Sequence, residues 1–354
     1  MKPPAYLALA CFLLTCLTSP SLGQPLKLQL PTDNKEIFGT NPEKFYMYTN
    51  RTFEGVSSRP WQAGQYGFVR NMVRTSEGII GTRFHEGIDI KPVRRSSGGE
   101  PLDEVRAIGT GVVAYTSRGA SKSNYGKYLV VEHNWGDGPF FSLYAHLADI
   151  TVNPGQRVLA GTPIGRMGYT GAGINRTRAH LHLELGMLSS LRFEDWHKHF
   201  LGGNNHHGIH NGLNLCGVDI AGLFQALRTT PNISLPAFIQ RTPVYYKVTI
   251  PRKGPLEIVE RYPWLAKGDH TRPSPCWELS FTASGIPLSV TPSQRIVSQP
   301  VVTYVRNTRS KHQYFTVKRL VGSGRRASLS SSGLRYIKLI TGDFPSQAPS
   351  TPTP

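Results

Sequence analysis

Across residues 66–186 the chain runs in short stretches where apolar and polar positions alternate, each closed by Gly, Asn or Pro. Gly111-Val112-Val113-Ala114-Tyr115, Tyr128-Leu129-Val130-Val131-Glu132-His133 and Phe140-Phe141-Ser142-Leu143-Tyr144 have strand length and are rich in β-branched and aromatic residues. They predict a mainly β, antiparallel domain with little helix. The clearest alternation covers residues 179–185, where Ala179, Leu181, Leu183 and Leu185 alternate with His180, His182 and Glu184. A period of two puts these three side chains on one polar face, with Leu181, Leu183 and Leu185 on the other. Further along, the runs 244–250, 256–259, 277–282, 301–305, 314–320 and 334–340 predict a second all-β C-terminal module of the sandwich or barrel kind. A short helix is expected between the two, over residues 218–227.

The polar face of 179–185 carries chemistry. Two imidazoles two residues apart on one strand are close enough for one to hold a metal while the other acts on whatever the metal binds. A second motif, His85-Glu86-Gly87-Ile88-Asp89, puts His85, Gly87 and Asp89 on one face when residues 87–90 are extended. The missing side chain at Gly87 is then expected to leave a gap for an ion. A third, Tyr144-Ala145-His146-Leu147, adds another imidazole. His85, Asp89 and one of His180 and His182 make three protein ligands, the count of a catalytic zinc whose fourth position stays open. Any one of these motifs alone is more often a surface pair than a ligand set; their conjunction in one β-rich segment points to a hydrolytic metal centre.

Gly67-Phe68-Val69-Arg70 precedes the first motif, and Ala160-Gly161-Thr162-Pro163-Ile164-Gly165-Arg166-Met167-Gly168-Tyr169-Thr170-Gly171 precedes His180. With all of these in this order the chain resembles the lysostaphin-like, LytM-type zinc metallopeptidases, which cut peptide bridges in peptidoglycan. The resemblance runs over residues 67–186 and implies a β-sheet peptidase domain with a zinc groove. It implies that His85, Asp89 and His182 bind one Zn2+ per chain, and that His146 and His180 flank the metal as catalytic groups. Zinc acidifies its water and polarises the scissile carbonyl. The free imidazoles would move protons or stabilise the oxyanion; which does which stays open. Tyr144 shares strand parity with His146 and is a candidate for the groove, and Glu184 for orienting an imidazole. Two stretches depart from the family pattern: residues 93–104 read as an insertion, and Ile174-Asn175-Arg176-Thr177-Arg178 replaces a short Gly-containing turn. Both fall where groove walls are expected.

Residues 1–23 read as a secretory signal peptide, with Lys2, an apolar run over 6–17, and Ser21 and Gly23 at the cleavage positions. No other apolar stretch is long enough to span a bilayer. The cysteines beyond it, Cys216 and Cys276, are candidates for one disulfide worth roughly 3 to 4 kcal/mol. Formal charge is +18, from 40 basic and 22 acidic residues. Residues 279–340 contain no Asp or Glu, whereas Arg306, Arg309, Lys311, Lys318, Arg319, Arg325 and Arg326 all fall there. Such a field attracts a polyanion, and for an exported chain that means peptidoglycan or anionic wall polymers rather than nucleic acid.

The expected organisation is a signal peptide (1–23), an N-terminal extension (24–64), the zinc peptidase domain (65–190), a His/Asn/Gly-rich connector with a short helix (191–240), a basic β-rich accessory module (241–342) and a disordered tail (343–354). In relatives an upstream segment can occlude the zinc, and Asn34, Asn41 and Asn50 are the residues here that could do so. His197, His199, His206, His207 and His210 in the connector match no recurring ligand spacing. The expected function is an exported zinc endopeptidase acting on peptide cross-links of bacterial peptidoglycan. The alternatives are a catalytically silent wall protein that activates another hydrolase, and a secreted protease of Gly-rich proteins.

Overall fold

The computed structural model describes residues 26–346, so the expected signal peptide and most of the expected disordered tail lie outside the described residues. The expected β-rich runs become strands. Tyr128–Asn134 and Pro139–Ala145 lie side by side at the centre of a seven-stranded antiparallel sheet. Gly111–Ser117 and Arg157–Val158 extend one side; Leu181–Leu188 follows on the other. Both Ile88–Ile90 and Leu215–Val218 pair with the far edge of Leu181–Leu188, one at each end of it. Leucines 181, 183 and 185 drive this arrangement by entering the main hydrophobic core, fully buried. The long hairpin Gly67–Thr75/Gly78–His85 leads into the site.

The N-terminal extension is an integral part of this unit. Phe45, Tyr46 and Met47 are buried, and the Met47 and Lys91 amides bond the Asp89 and Phe45 carbonyls at 2.8 Å each. The Asn34 side chain donates to the carbonyls of Lys44 and Lys91, and Asn41 caps a short helical turn. Among the described residues neither of them, nor Asn50, lines the groove described below.

The C-terminal module contains a four-stranded antiparallel sheet, ordered Pro287–Ser293, Cys276–Phe281, Tyr246–Pro251, Val301–Val305. Three of its expected strands are something else. Residues 256–259 enter the helix Glu257–Arg261, and residues 334–340 belong to the helix Ser331–Thr341. Ser330 caps the latter by accepting from the Gly333 amide, Gly342 ends it at φ +69°, and Gly333, Tyr336, Ile337 and Ile340 bury one helical stripe. Residues 314–320 cannot extend because Val317 and Lys318 both take positive φ, +51° and +60°. The module shares its core with the sheet above it. The Tyr262 hydroxyl donates to the Pro139 carbonyl at 2.6 Å and accepts from the Leu188 amide at 2.9 Å.

Two further expectations are corrected. Cys216 and Cys276 are buried free thiols, not a disulfide; Cys216 lies 3.0 Å from the Tyr336 hydroxyl, and Cys276 faces the Val297 carbonyl. Arg319 is not a surface cation: its guanidinium lies 3.6 Å from the Tyr336 ring centroid and donates to the Ser284 carbonyl. Arg306, Arg309, Lys311, Lys318, Arg325 and Arg326 are exposed. Among the described residues no helix is long and apolar enough to cross a membrane.

Candidate metal centre

Strand register assembles the site. Leu181–Leu188 sets His182 opposite Asp89 on one neighbour and opposite Ala145 on the other. His85 is the last residue of the hairpin strand Gly78–His85, and the chain turns through Glu86 and Gly87 before Ile88–Ile90. A Cβ on Gly87 would lie 2.2 Å from the Leu183 carbonyl oxygen. The glycine is therefore there to let this turn close against the central strand, and the expectation that it makes room for an ion is corrected.

Three ligand atoms converge. His182 Nδ1 lies 2.9 Å from Asp89 Oδ1 and 3.1 Å from His85 Nε2, and His85 Nε2 lies 3.2 Å from the same carboxylate oxygen. All three residues are buried. Each is held from behind: His85 Nδ1 by the Gln65 carbonyl at 2.8 Å, Asp89 Oδ2 by Arg70 at 2.5 Å, and His182 Nε2 by Glu184 at 2.8 Å. These anchors fix the ring orientations. Burial pushes the His85 imidazole down. Burial also opposes charge on His182, but the Asp89 and Glu184 carboxylates outweigh it and raise that imidazole to about 10. For Asp89 burial acts upward, and the surrounding charges of His85, His180 and Arg70 hold the carboxyl well below its usual range.

His146 and His180 stand beside this triangle, their rings 4.9 Å apart, with His146 5.7 Å from His182. Their Nδ1 atoms face the carbonyls of Thr170, at 2.9 Å, and Arg178, at 2.7 Å. A ring nitrogen facing a carbonyl carries the proton, so Nε2 is the basic atom of each. His180 Nε2 lies 3.4 Å from Asp89 Oδ1. Burial, then the nearby His180 and His182, pushes the His146 imidazole well down.

Glu184 is where its strand parity puts it. Tyr144 is not: it pairs with Leu183, on the core face, and its buried hydroxyl accepts from the Ile108 amide at 2.8 Å. The parity argument fails because His146 has φ +62°, which breaks the alternation after Ala145. Two residues to which the sequence alone assigns no role join the site. Arg70 binds Asp89, and the Tyr125 hydroxyl donates to Glu184 Oε1 at 2.6 Å. Arg70 lay within a quoted motif but its partner is 19 residues away; Tyr125 carries no local signal at all.

The centre opens into a groove of about 450 Å³. Ile174 and Arg178 line it, as expected for that stretch. Residues 93–104 do not; they brace the turn from behind, through Arg95 on the Arg176 and Thr177 carbonyls. The connector also lines it, with Asn211, Gly212 and Leu213, while its histidines form no metal-ligating group among the described residues.

The family model described as peptidase family M23 matches residues 83–190, and the resemblance to lysostaphin-like peptidases is borne out over that segment. No curated protein matches the chain. Among solved structures it is similar to a Pseudomonas aeruginosa protein described as an M23 peptidase, with 21% identity over 47% of this chain and 48% of that one and a TM-score of 0.26. It is similar to a zinc-containing peptidase of Vibrio cholerae, with 26% identity over 40% of this chain and 36% of that one and a TM-score of 0.25. For the catalytic domain of lysostaphin, an antimicrobial peptidase of Staphylococcus simulans, the identity is 24% over 39% of this chain and 80% of that one, with a TM-score of 0.25. The chain thus spans about half of the first of these and little more than a third of the second.

Proposed function

We propose, from the M23 match of residues 83–190 and the donor set at its centre, that this chain is an exported zinc-dependent endopeptidase that hydrolyses peptide cross-links of bacterial peptidoglycan. The observation that carries the reading is the buried triangle of His85 Nε2, Asp89 Oδ1 and His182 Nδ1, opening on a groove with two more imidazoles. Two nitrogens and one carboxylate oxygen suit zinc, and sides of 2.9, 3.1 and 3.2 Å approach the ligand spacing of about 3.3 Å that follows from tetrahedral bonds of roughly 2.0 Å. Zinc held by these residues supplies a Lewis acid that polarises a peptide carbonyl and acidifies water.

The chain's own groups do the rest. His146 and His180, each with Nδ1 tied to a backbone carbonyl, present Nε2 to take up a proton and return it to the leaving amine. Arg70 and Glu184 position Asp89 and His182. The exposed cations Arg306, Arg309, Lys311, Lys318, Arg325 and Arg326 are the proposed contact to anionic wall polymers. A wall protein that only binds has no need of a full ligand set, and this chain keeps all three.

The test is incubation of the protein with purified peptidoglycan, with and without a chelator, followed by mass analysis of what is released. The expected result is chelator-sensitive release of fragments whose new ends together carry one added water per bridge cut. Absence of release, or release that ignores the chelator, contradicts the reading.

A further inference from the structure

We propose that Arg70, Arg83 and Arg178, backed by Arg51, form an anion subsite on one wall of the groove, and that it receives a carboxylate of the peptide substrate. This rests on the peptidase reading for the substrate's class and adds its charge and its direction in the groove.

The three arginines line the same groove as the metal centre, and Arg70 touches Asp89 directly. The charges of Arg83 and Arg178 are poorly spent within the protein. Arg83 is exposed, and its guanidinium has no hydrogen-bond or ion-pair partner among the described residues. Among the described residues the Arg178 guanidinium reaches only backbone carbonyls, Gly173 at 3.2 Å and Tyr48 at 3.4 Å. Arg51 has its Nε buried and unpartnered, and among the described residues its guanidinium's one hydrogen bond is to its neighbour's carbonyl at 3.4 Å. Burial, then the charges of Arg70, Arg83 and Arg178, lowers its pKa.

The carboxyls lining the groove do not cancel these charges. Asp89 is committed to the imidazoles and to Arg70. Glu86 is the other carboxyl lining it, against Arg83 and Arg178, which no carboxylate pairs among the described residues. Asn124, Asn211 and Leu213, which also line the groove, carry no charge. A groove with unpaired guanidinium groups beside the candidate metal ligands favours a peptide that has a carboxylate near the bond to be cut. Guanidinium forks match a carboxylate's two oxygens. Such a carboxylate comes either from an acidic side chain or from a peptide C-terminus.

Calorimetry on the zinc-loaded protein separates these, using the peptide Ala-Glu-Lys-Ala-Ala, its Gln-for-Glu form, and both with amidated C-termini. Loss of the recognised carboxylate is expected to weaken binding by about tenfold or more, and the carboxylate that matters identifies the source. In the double variant Arg83→Gln/Arg178→Gln the ratio is expected to fall near one. Equal affinity of the wild type for all four peptides, or a ratio that survives in the double variant, overturns the inference. The readout is binding, so discrimination without peptidoglycan cleavage would sink the peptidase reading and leave the subsite standing. Cleavage without discrimination would do the reverse.

Discussion

His146 reaches the metal centre because its backbone leaves the strand there, at φ +62°, with its amide donating to the Tyr125 carbonyl at 2.9 Å. A non-glycine residue held in the left-handed region costs roughly 1 to 3 kcal/mol, and such strain persists where the surroundings impose it. The division of labour among the histidines follows from which nitrogen faces what. His182→Ala is expected to lose zinc, measured as metal per chain. His146→Ala and His180→Ala are expected to retain it while turnover falls by roughly 100-fold. Equal metal loss in all three would contradict these roles. Away from the centre, buried His133 bonds the Thr110 carbonyl and the Ser142 hydroxyl, and burial lowers its imidazole to about 4 from an ordinary 6.5. Between those values the unfolded chain takes up a proton that the native one refuses. This contribution is therefore complete above pH 6.5 and is lost as pH falls towards 4, by about 2 kcal/mol at pH 5. Urea midpoints at pH 7 and pH 5 are expected to differ less in His133→Gln than in the wild type. At this scale the histidines and Asp89 were legible because they stand in short motifs. Arg70 and Tyr125 were not, because a contact made across strands leaves no local spacing to read.

Among elements, the strand Leu181–Leu188 does the most, pairing with Asp89's strand and carrying His182 and Glu184 while its leucines enter the core. Its alternation was fully readable. The turn that meets it was readable as a motif but not in its physics, since Gly87 matters because a Cβ there would lie 2.2 Å from the Leu183 carbonyl oxygen, which only the folded chain reveals. Gly87→Ala is expected to cost about 1 to 3 kcal/mol by overpacking and to reduce zinc affinity, because it levers Asp89 away from His182. Thermal unfolding and zinc titration check this; an unchanged affinity would show that the turn tolerates the methyl group. The helix Ser331–Thr341 was misread as a strand because its apolar residues fit either period over so short a run. The Ser330 cap and Gly342 stop were the overlooked signals.

The whole molecule is more unified than its sequence suggests. Composition and charge set residues 241–342 apart, yet Tyr262, Tyr336 and Leu279 belong to the same core as Tyr144 and Leu183. Deletion from residue 241 onward is therefore expected to give a chain without cooperative unfolding, by calorimetry, rather than a free-standing peptidase; a sharp transition in the truncated chain would restore the separable module. The proposed wall contact of the exposed cations is tested at this scale too. Binding to isolated cell walls is expected to weaken steeply as salt rises, since screening acts within about 8 Å at physiological ionic strength, whereas salt-independent binding would remove them from the contact. All of this depends on one metal at one place. Crystals grown with zinc and measured at its absorption edge test that most directly. The account predicts a single anomalous peak in the groove roughly 2.0 to 2.2 Å from each of His85 Nε2, Asp89 Oδ1 and His182 Nδ1. A peak ligated by His180 in place of His182, or no peak among these residues, would contradict it.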